Sequence, residues 1–368
     1  MLFVLIAVCI FFDFATEGIF LSTKNITNLT RQSSIVGLLA IGMVLIIVCG
    51  HIDLSVGSLV GLIGGTSAIF ASWYHWNLPT VIIATLILGL LLGAMQGFMV
   101  AYLRIPAFIV TLGGLMIFRG AIKGLSRGET ISVENNYQFF GSGFLSENQS
   151  WVIATITCVA IFYFLLKNHP SKIKYGLNST PVWTTYATAI FYSAVIIIFI
   201  FIFNNNDVKF PDTADENEKS IPVPVIILVL FALVFHFVAT RTTFGRRIFA
   251  IGGNPDAAYL SGINIKQNTM FVFVIMGILS AVAAIVYTAR LGSATADAGR
   301  TLELDAIAAC VIGGTSLMGG KGNIPAAIVG ALFMTSLDNG MSIMNIENFY
   351  QDIIKGLVLV LAVYMGFS

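Results

Sequence analysis

Long apolar runs separated by short polar stretches dominate the chain. Most runs approach the roughly 20 residues that a helix needs to cross a hydrocarbon core. The pattern therefore predicts an all-α, polytopic membrane protein of about 10–11 transmembrane helices. The predicted segments are 1–12, 33–50, 57–74, 80–102, 107–125, 151–166, 182–203, 223–239, 269–289, an interrupted region 306–337, and 352–367.

Composition supports a membrane rather than a water-soluble class. The 368 residues are 57% hydrophobic and only 10% charged, whereas soluble domains carry roughly 25% charged residues. The net charge is +1, and no basic patch with interleaved aromatic residues predicts nucleic-acid binding. We therefore treat 1–368 as one transmembrane domain in contact with lipid.

Charge alternates between successive loops and predicts the orientation. Lys and Arg are enriched in cytoplasmic loops, so the two basic loops are placed in the cytoplasm, the acidic loop outside, and the first helix enters from the cytoplasm. Outer loops are then expected at about 126–150 and 204–221. The first basic loop holds Lys167, Lys172 and Lys174, the second holds Arg241, Arg246, Arg247 and Lys266, and the acidic loop holds Asp207, Asp212, Asp215, Glu216 and Glu218.

The stretch "GHIDLSVGS" interrupts one of the most apolar regions, near residues 50–58. Its glycines and polar side chains favour a helix end followed by a new start, with Asp53 or Ser55 able to cap the second helix. It is either a short capped turn or a broken helix end that lines a translocation path.

A second interruption, near residues 306–325, contains "GGTSLMGGKGN". It fails the phosphate-loop template, because Thr315 stands where the first glycine belongs and Gly322 follows the lysine where Ser or Thr is needed. Its small residues favour a broken or re-entrant helix that packs closely on its neighbours.

The second basic loop, about 240–268, is too polar to span the membrane. Within it, "NPDAAYLSGI" predicts a short helix with Asn254 as N-cap, Pro255 in the first turn and Gly262 as the stop. From composition alone, this segment is either a docking element for a soluble partner or a solvated connector.

The segments "GHIDLSVGS", "GRRIFAIGGNPDAAYLSGI", "ELDAIAACVIGGTSLMGGKGN" and "SLDNGMS" occur in this order along the chain. Together they resemble the permeases of sugar-importing ABC transporters of the ribose, xylose and galactose group, and most of all its xylose branch. The resemblance covers nearly the whole chain. His51 departs from the residues that related permeases carry before "IDLSVGS".

The resemblance implies a permease subunit of the inner membrane, not an enzyme, that imports a monosaccharide, a pentose such as xylose. Two copies would form the pathway, a separate ABC ATPase would use the ATP, and a periplasmic sugar-binding protein would deliver the sugar. This chain would bind no cofactor itself. The family's coupling segment maps onto 245–263, which favours the docking interpretation, with coupling residues Gly245, Arg246, Arg247, Gly252, Asn254, Ala257, Ala258, Ser261 and Gly262.

The breaks in hydrophobicity supply the candidates for the translocation path, namely His51, Asp53, Ser55, Glu303, Asp305 and Asn339. An ion-coupled secondary transporter of a small polar solute stays open as the alternative, with an acid such as Asp53, Glu303 or Asp305 carrying the coupling ion. No H-E-x-x-H or G-x-S-x-G motif supports a membrane hydrolase. The four cysteines have no C-x-x-C spacing, which argues against a zinc site.

Overall fold

The computed structural model describes residues 2–155 and 221–367, together with residues 157–159 and isolated helical positions between 183 and 201. Helices dominate these residues, and two strands of two residues each, β1 (Ile131–Ser132) and β2 (Ser293–Ala294), pair antiparallel. Numbered along the chain, the helices are α1 (Leu2–Ala15), α2 (Thr23–Val48), α3 (Val56–Ser72), α4 (Leu78–Ala101), α5 (Ala107–Ser126), α6 (Asn135–Ser142), α7 (Val223–Arg241), α8 (Thr243–Gly253), α9 (Pro255–Leu260), α10 (Ile265–Leu291), α11 (Leu302–Ile312), α12 (Ile324–Ile343) and α13 (Asn348–Phe367).

Six of the described helices, α2, α4, α5, α7, α10 and α12, are long and apolar enough to cross a membrane. The prediction of an all-α, polytopic membrane protein is confirmed. The predicted segments 151–166 and 182–203, the basic loop at Lys172 and the outer loop 204–221 lie largely or wholly outside the described residues. The number of about 10–11 crossings therefore stays a prediction.

The contacts within the chain define two compact units, Met1–Ser142 with Pro224–Ser368, and Gly143–Val223. In the second unit, the amide of Leu145 donates to the carbonyl of Ile221 at 3.1 Å, and that of Val223 donates to the carbonyl of Gly143 at 3.0 Å. The single domain over 1–368 stays a prediction.

Helices α2 and α10 form the centre of the first unit and run antiparallel. Arg290, near the end of α10, donates to Asn28 in the second turn of α2 at 3.1 Å, while Cys49 and Thr269 approach within 3.9 Å at the opposite ends. Every residue of α2 from Ser33 to Val48 is buried, as expected for a helix that is apolar on all sides.

Glycines set the crossing of α4 and α10. Gly89, Gly93 and Gly97 recur every fourth residue, so they lie on one face of α4. A Cβ at Gly93 would lie 3.0 Å from the Cα of Gly277, and one at Gly97 would lie 3.0 Å from the Cβ of Phe273. Small residues allow this close backbone approach in membrane helices.

One predicted helix boundary is wrong, and two predicted loops contain helices. Helix α2 begins at Thr23, ten residues before the predicted segment at 33, because its polar first turns pack on neighbouring helices, as in the contact of Asn25 with Asn339. The predicted outer loop 126–150 contains β1 and α6, and the predicted loop 240–268 contains α8 in addition to the expected short helix α9. Helix α8 is amphipathic and buries Gly245, Ile248 and Ile251 on one face.

Candidate functional site

The first break in helical structure covers residues 49–55, between α2 and α3. Helix α2 ends there because Gly50 has a φ of 86°, a backbone angle that residues other than glycine rarely adopt. The amide of Gly50 donates to the carbonyl of Ile47 at 2.9 Å, and that of His51 donates to the carbonyl of Ile46 at 3.1 Å. The His51 ring centroid then lies 6.1 Å from that of Phe273 on α10. The predicted break is present, and Gly50 allows it.

A buried hydrogen-bond network fixes the start of α3. Asp53 Oδ1 accepts from the backbone amide of Ser55 at 2.8 Å and from its hydroxyl at 2.7 Å. Ser55 Oγ in turn accepts from Nε2 of Gln96 on α4 at 2.7 Å. Ser55 occupies the N-cap position but accepts no cap hydrogen bond, so the expected side-chain cap is replaced by a link between the break and α4.

This network predicts that Asp53→Asn is far milder than Asp53→Leu. The Oδ1 of Asn still accepts from Ser55, whereas Leu leaves a buried amide and hydroxyl without their acceptor, at a cost of about 1–3 kcal/mol. Sugar uptake, normalised to the amount of permease in the membrane, checks the difference. Loss of uptake in Asp53→Asn at normal membrane levels would contradict a purely positioning role and indicate that the charge itself is required.

The N-terminal part of α11 packs against the first turn of α3. A Cβ at Gly57 would overlap both the Glu303 carboxylate and the carbonyl oxygen of Gly299. Glu303 also interacts electrostatically with Asp53 and Arg119. Among the described residues, none donates a hydrogen bond to Asp53 Oδ2 or Glu303 Oε2. The structure thus brings two path candidates near one another, and their role in the path stays a prediction.

Asp305 belongs to a different cluster, in which one lysine pairs with two aspartates. Lys355 Nζ on α13 lies 3.3 Å from Asp305 on α11 and 2.8 Å from Asp338 on α12. Asp305 is almost completely buried and Lys355 mostly so. The cluster borders a cavity of about 230 Å³ that Thr301 and Met334 also line. It ties α11, α12 and α13 together near the start of α11.

Asn339 directly follows Asp338 on α12 but makes a separate contact. Its Oδ1 accepts from Nδ2 of Asn25 at 2.7 Å, and the same Nδ2 group donates to the carbonyl of Phe20 at 2.8 Å. Asn339 therefore joins α12 to the first turn of α2.

Three residues of these contacts were not predicted from the sequence, namely Gln96, Asp338 and Lys355. A signal was present for Lys355, because an isolated lysine within an apolar segment requires a carboxylate partner. The partner could not be identified, because Asp305 is 50 positions away along the chain. In the described part of the chain, no group of three or more His, Cys, Asp or Glu side chains is arranged to hold a metal ion.

The predicted coupling segment consists of α8, α9 and the turn that follows them. Asn254 Oδ1 accepts from the amide of Ala257 at 3.0 Å, the Ser261 hydroxyl donates to the carbonyl of Ala257 at 2.8 Å, and Gly262 has a φ of 78°. The cap, the short helix and the glycine stop are confirmed. Of the remaining coupling candidates, Arg246 and Arg247 are exposed, whereas Gly245 is buried and packs directly on the backbone at the end of α7.

The exposed face of α9 differs from the predicted one. Ala258 is only 3% exposed and belongs to the hydrophobic core, so it cannot contact a partner as predicted. Ala257 is exposed, and Tyr259 and Leu260 are 71% and 84% exposed. A six-residue helix must direct one side inward, and the sequence does not reveal which one.

Comparison with known proteins yields one family and a set of relatives that match over nearly their full length. Residues 25–363 match the family model described as "Branched-chain amino acid transport system / permease component". The chain is 44% identical over 366 residues to the xylose transport system permease protein of Escherichia coli (strain K12), covering 99% of this chain and 90% of the relative. It is 41% identical over 369 residues to the protein of the same name from Haemophilus influenzae (100% and 95%), and 34% identical over 355 residues to the ribose import permease protein of that organism (94% and 87%). No solved structure gives a significant match.

Proposed function

The chain belongs to the family of transport-system permease components, and from this premise we propose that its cargo is a pentose, D-xylose in particular. It is a multi-pass protein of the inner membrane and a transport subunit rather than an enzyme. The observation that carries the proposal is the 44% and 41% identity, over nearly complete lengths, to two permeases named for xylose transport.

The family description and the relatives point to different cargoes. The family model is named for branched-chain amino acids, whereas the relatives quoted above are named for xylose and ribose. A family model describes what many divergent members share, whereas an identity of 44% over 366 residues compares this chain directly with one relative. The higher identity to the xylose permeases than to the ribose permease, 44% against 34%, favours xylose.

The proposal includes three partners. A separate ABC ATPase hydrolyses ATP, because the chain has no sequence that fits a phosphate loop, and this chain itself binds no cofactor. A periplasmic binding protein delivers the sugar. Two copies of the chain form the pathway in contact with lipid.

Competition for uptake tests the cargo. In vesicles that contain the permease with its ATPase and binding protein, unlabelled D-xylose should abolish uptake of radiolabelled D-xylose. Ribose should compete weakly, and leucine should have no effect. Concentrative uptake of leucine instead of the sugar would overturn the proposal and favour the amino-acid cargo of the family's name.

A substitution on the exposed face of α9 is expected to uncouple ATP hydrolysis from sugar uptake. Ala257→Arg places a long charged side chain on the same side of α9 as the exposed Leu260, so a partner groove that fits a small residue would be blocked. We expect normal membrane levels, with loss of both sugar uptake and sugar-stimulated ATP hydrolysis.

Asn136→Arg on α6 is the matched control for Ala257→Arg. It adds the same charge at another exposed position, on the predicted outer side, and should leave the complex with the ATPase intact. If Ala257→Arg transports sugar normally and still co-purifies with the ATPase, the segment is a connector and the ATPase docks elsewhere.

A further inference from the structure

Three backbone segments meet at one point on the first unit of the fold. They are the last residue of α2, the last turn of α8, and the non-helical loop 313–323 between α11 and α12. The amide of Gly320 donates to the carbonyl of Val48 at 2.9 Å. We call the four residues that form this contact, Val48, Gly252, Gly319 and Gly320, the backbone junction.

No side chain separates the three segments at the backbone junction. A Cβ at Gly252 would overlap the carbonyl oxygen of Val48 and lie 2.7 Å from the amide nitrogen of Gly320. A Cβ at Gly319 would lie 2.7 Å from the carbonyl oxygen of Gly252. Gly319 and Gly320 have φ values of 84° and 71°, so the loop can take this path only with glycine or a strained residue.

The position of the backbone junction links the coupling segment to both breaks. Val48 directly precedes the first break at 49–55, and Gly320 lies within the second non-helical segment, 313–323. Gly252 lies in the last turn of α8, three residues before α9, whose exposed face is the proposed contact with the ATPase. Close-packed backbone has no rotatable side chain to absorb a displacement, so a movement of α8 must reach both partners.

We propose that the backbone junction makes Gly252 a positioning residue for coupling. A movement of α8, driven by the ATPase, displaces the end of α2 and the loop 313–323 together. The two non-helical segments, 49–55 and 313–323, then change conformation at the same time. This inference rests on the proposed docking of the ATPase on the segment 245–263.

The neighbouring glycine offers a matched control. Gly252→Ala and Gly253→Ala are the same substitution one position apart in the last turn of α8, and alanine favours a helix over glycine at both. A Cβ at Gly253 meets nothing within 4 Å, whereas one at Gly252 enters the backbone junction. A difference between the two variants therefore reports the junction and not helix stability.

The test uses the full complex of permease, ATPase and binding protein in vesicles. We expect the Gly252→Ala permease to reach the membrane at normal levels, while sugar-stimulated ATP hydrolysis and uptake fall about tenfold or more relative to Gly253→Ala. Gly253→Ala should match the unmodified protein. Equal activity of the two variants would overturn the proposal. Failure of the ATPase to co-purify with the unmodified permease would instead overturn the docking on which the proposal rests.

Hydrogen–deuterium exchange on the unmodified complex tests the same proposal without a variant that could misfold. Addition of a non-hydrolysable ATP analogue should change protection in 245–262, 49–55 and 313–323 together. A change in 245–262 with none in either break would contradict a shared movement.

Discussion

The Gly57→Val variant is expected to lose sugar uptake almost completely. The isopropyl group would enter the space of the Glu303 carboxylate and the Gly299 carbonyl, and the neighbouring backbone cannot move aside as a flexible side chain can. Overpacking of this kind costs about 1–3 kcal/mol or more, and here it separates the first turn of α3 from α11. Uptake per unit of permease in the membrane measures the loss.

Gly120→Val on α5 is the control for Gly57→Val. It makes the same change in a helix at a position where a Cβ meets nothing within 4 Å, so uptake should be retained. Full activity of Gly57→Val would show that transport does not require the close contact between α3 and α11.

Lys355→Met is expected to destabilise the protein by about 3–5 kcal/mol, because it leaves the buried Asp305 carboxylate and the partly buried Asp338 carboxylate without their partner. Lys355 is the cation that lies within 4 Å of both Asp305 and Asp338. The midpoint of thermal unfolding in detergent and the yield of monodisperse permease should both fall sharply.

Neutralising the whole cluster should restore the stability lost in Lys355→Met. A buried ion pair can often be replaced by uncharged groups without loss, whereas removal of one partner is costly. The triple variant, which combines Lys355→Met with Asp305→Asn and Asp338→Asn, is therefore expected to unfold near the temperature of the unmodified protein. If the triple variant is as unstable as Lys355→Met, the lysine stabilises the helices through contacts other than these two carboxylates.

Features that depend on local sequence were predictable. Apolar runs identified the spanning helices, and "GHIDLSVGS" identified a helix break because Gly50 can adopt a φ that other residues avoid. The short helix α9 followed from its N-cap Asn254 and its stop Gly262, each of which acts within a few residues. Such signals need no knowledge of the rest of the fold.

Features that depend on distant parts of the chain were not predictable. Gln96 reaches Ser55 from another helix, and Glu303 meets Gly57 from 246 positions away along the chain. Hydrophobic periodicity assigns residues to helices but does not say which helices are neighbours. For the same reason Ala258 was predicted to be exposed although it is buried, because its burial depends on how α9 packs against the core.

Sugar uptake into proteoliposomes tests the central claim, that this permease works only as part of an ATP-driven importer. The purified permease is reconstituted alone, with the ATPase, with the binding protein, or with both, and labelled D-xylose is supplied with ATP or with a proton or sodium gradient. The account predicts concentrative uptake only when ATPase, binding protein and ATP are all present. Uptake by the permease alone, driven by the ion gradient, would contradict it and establish an ion-coupled transporter instead.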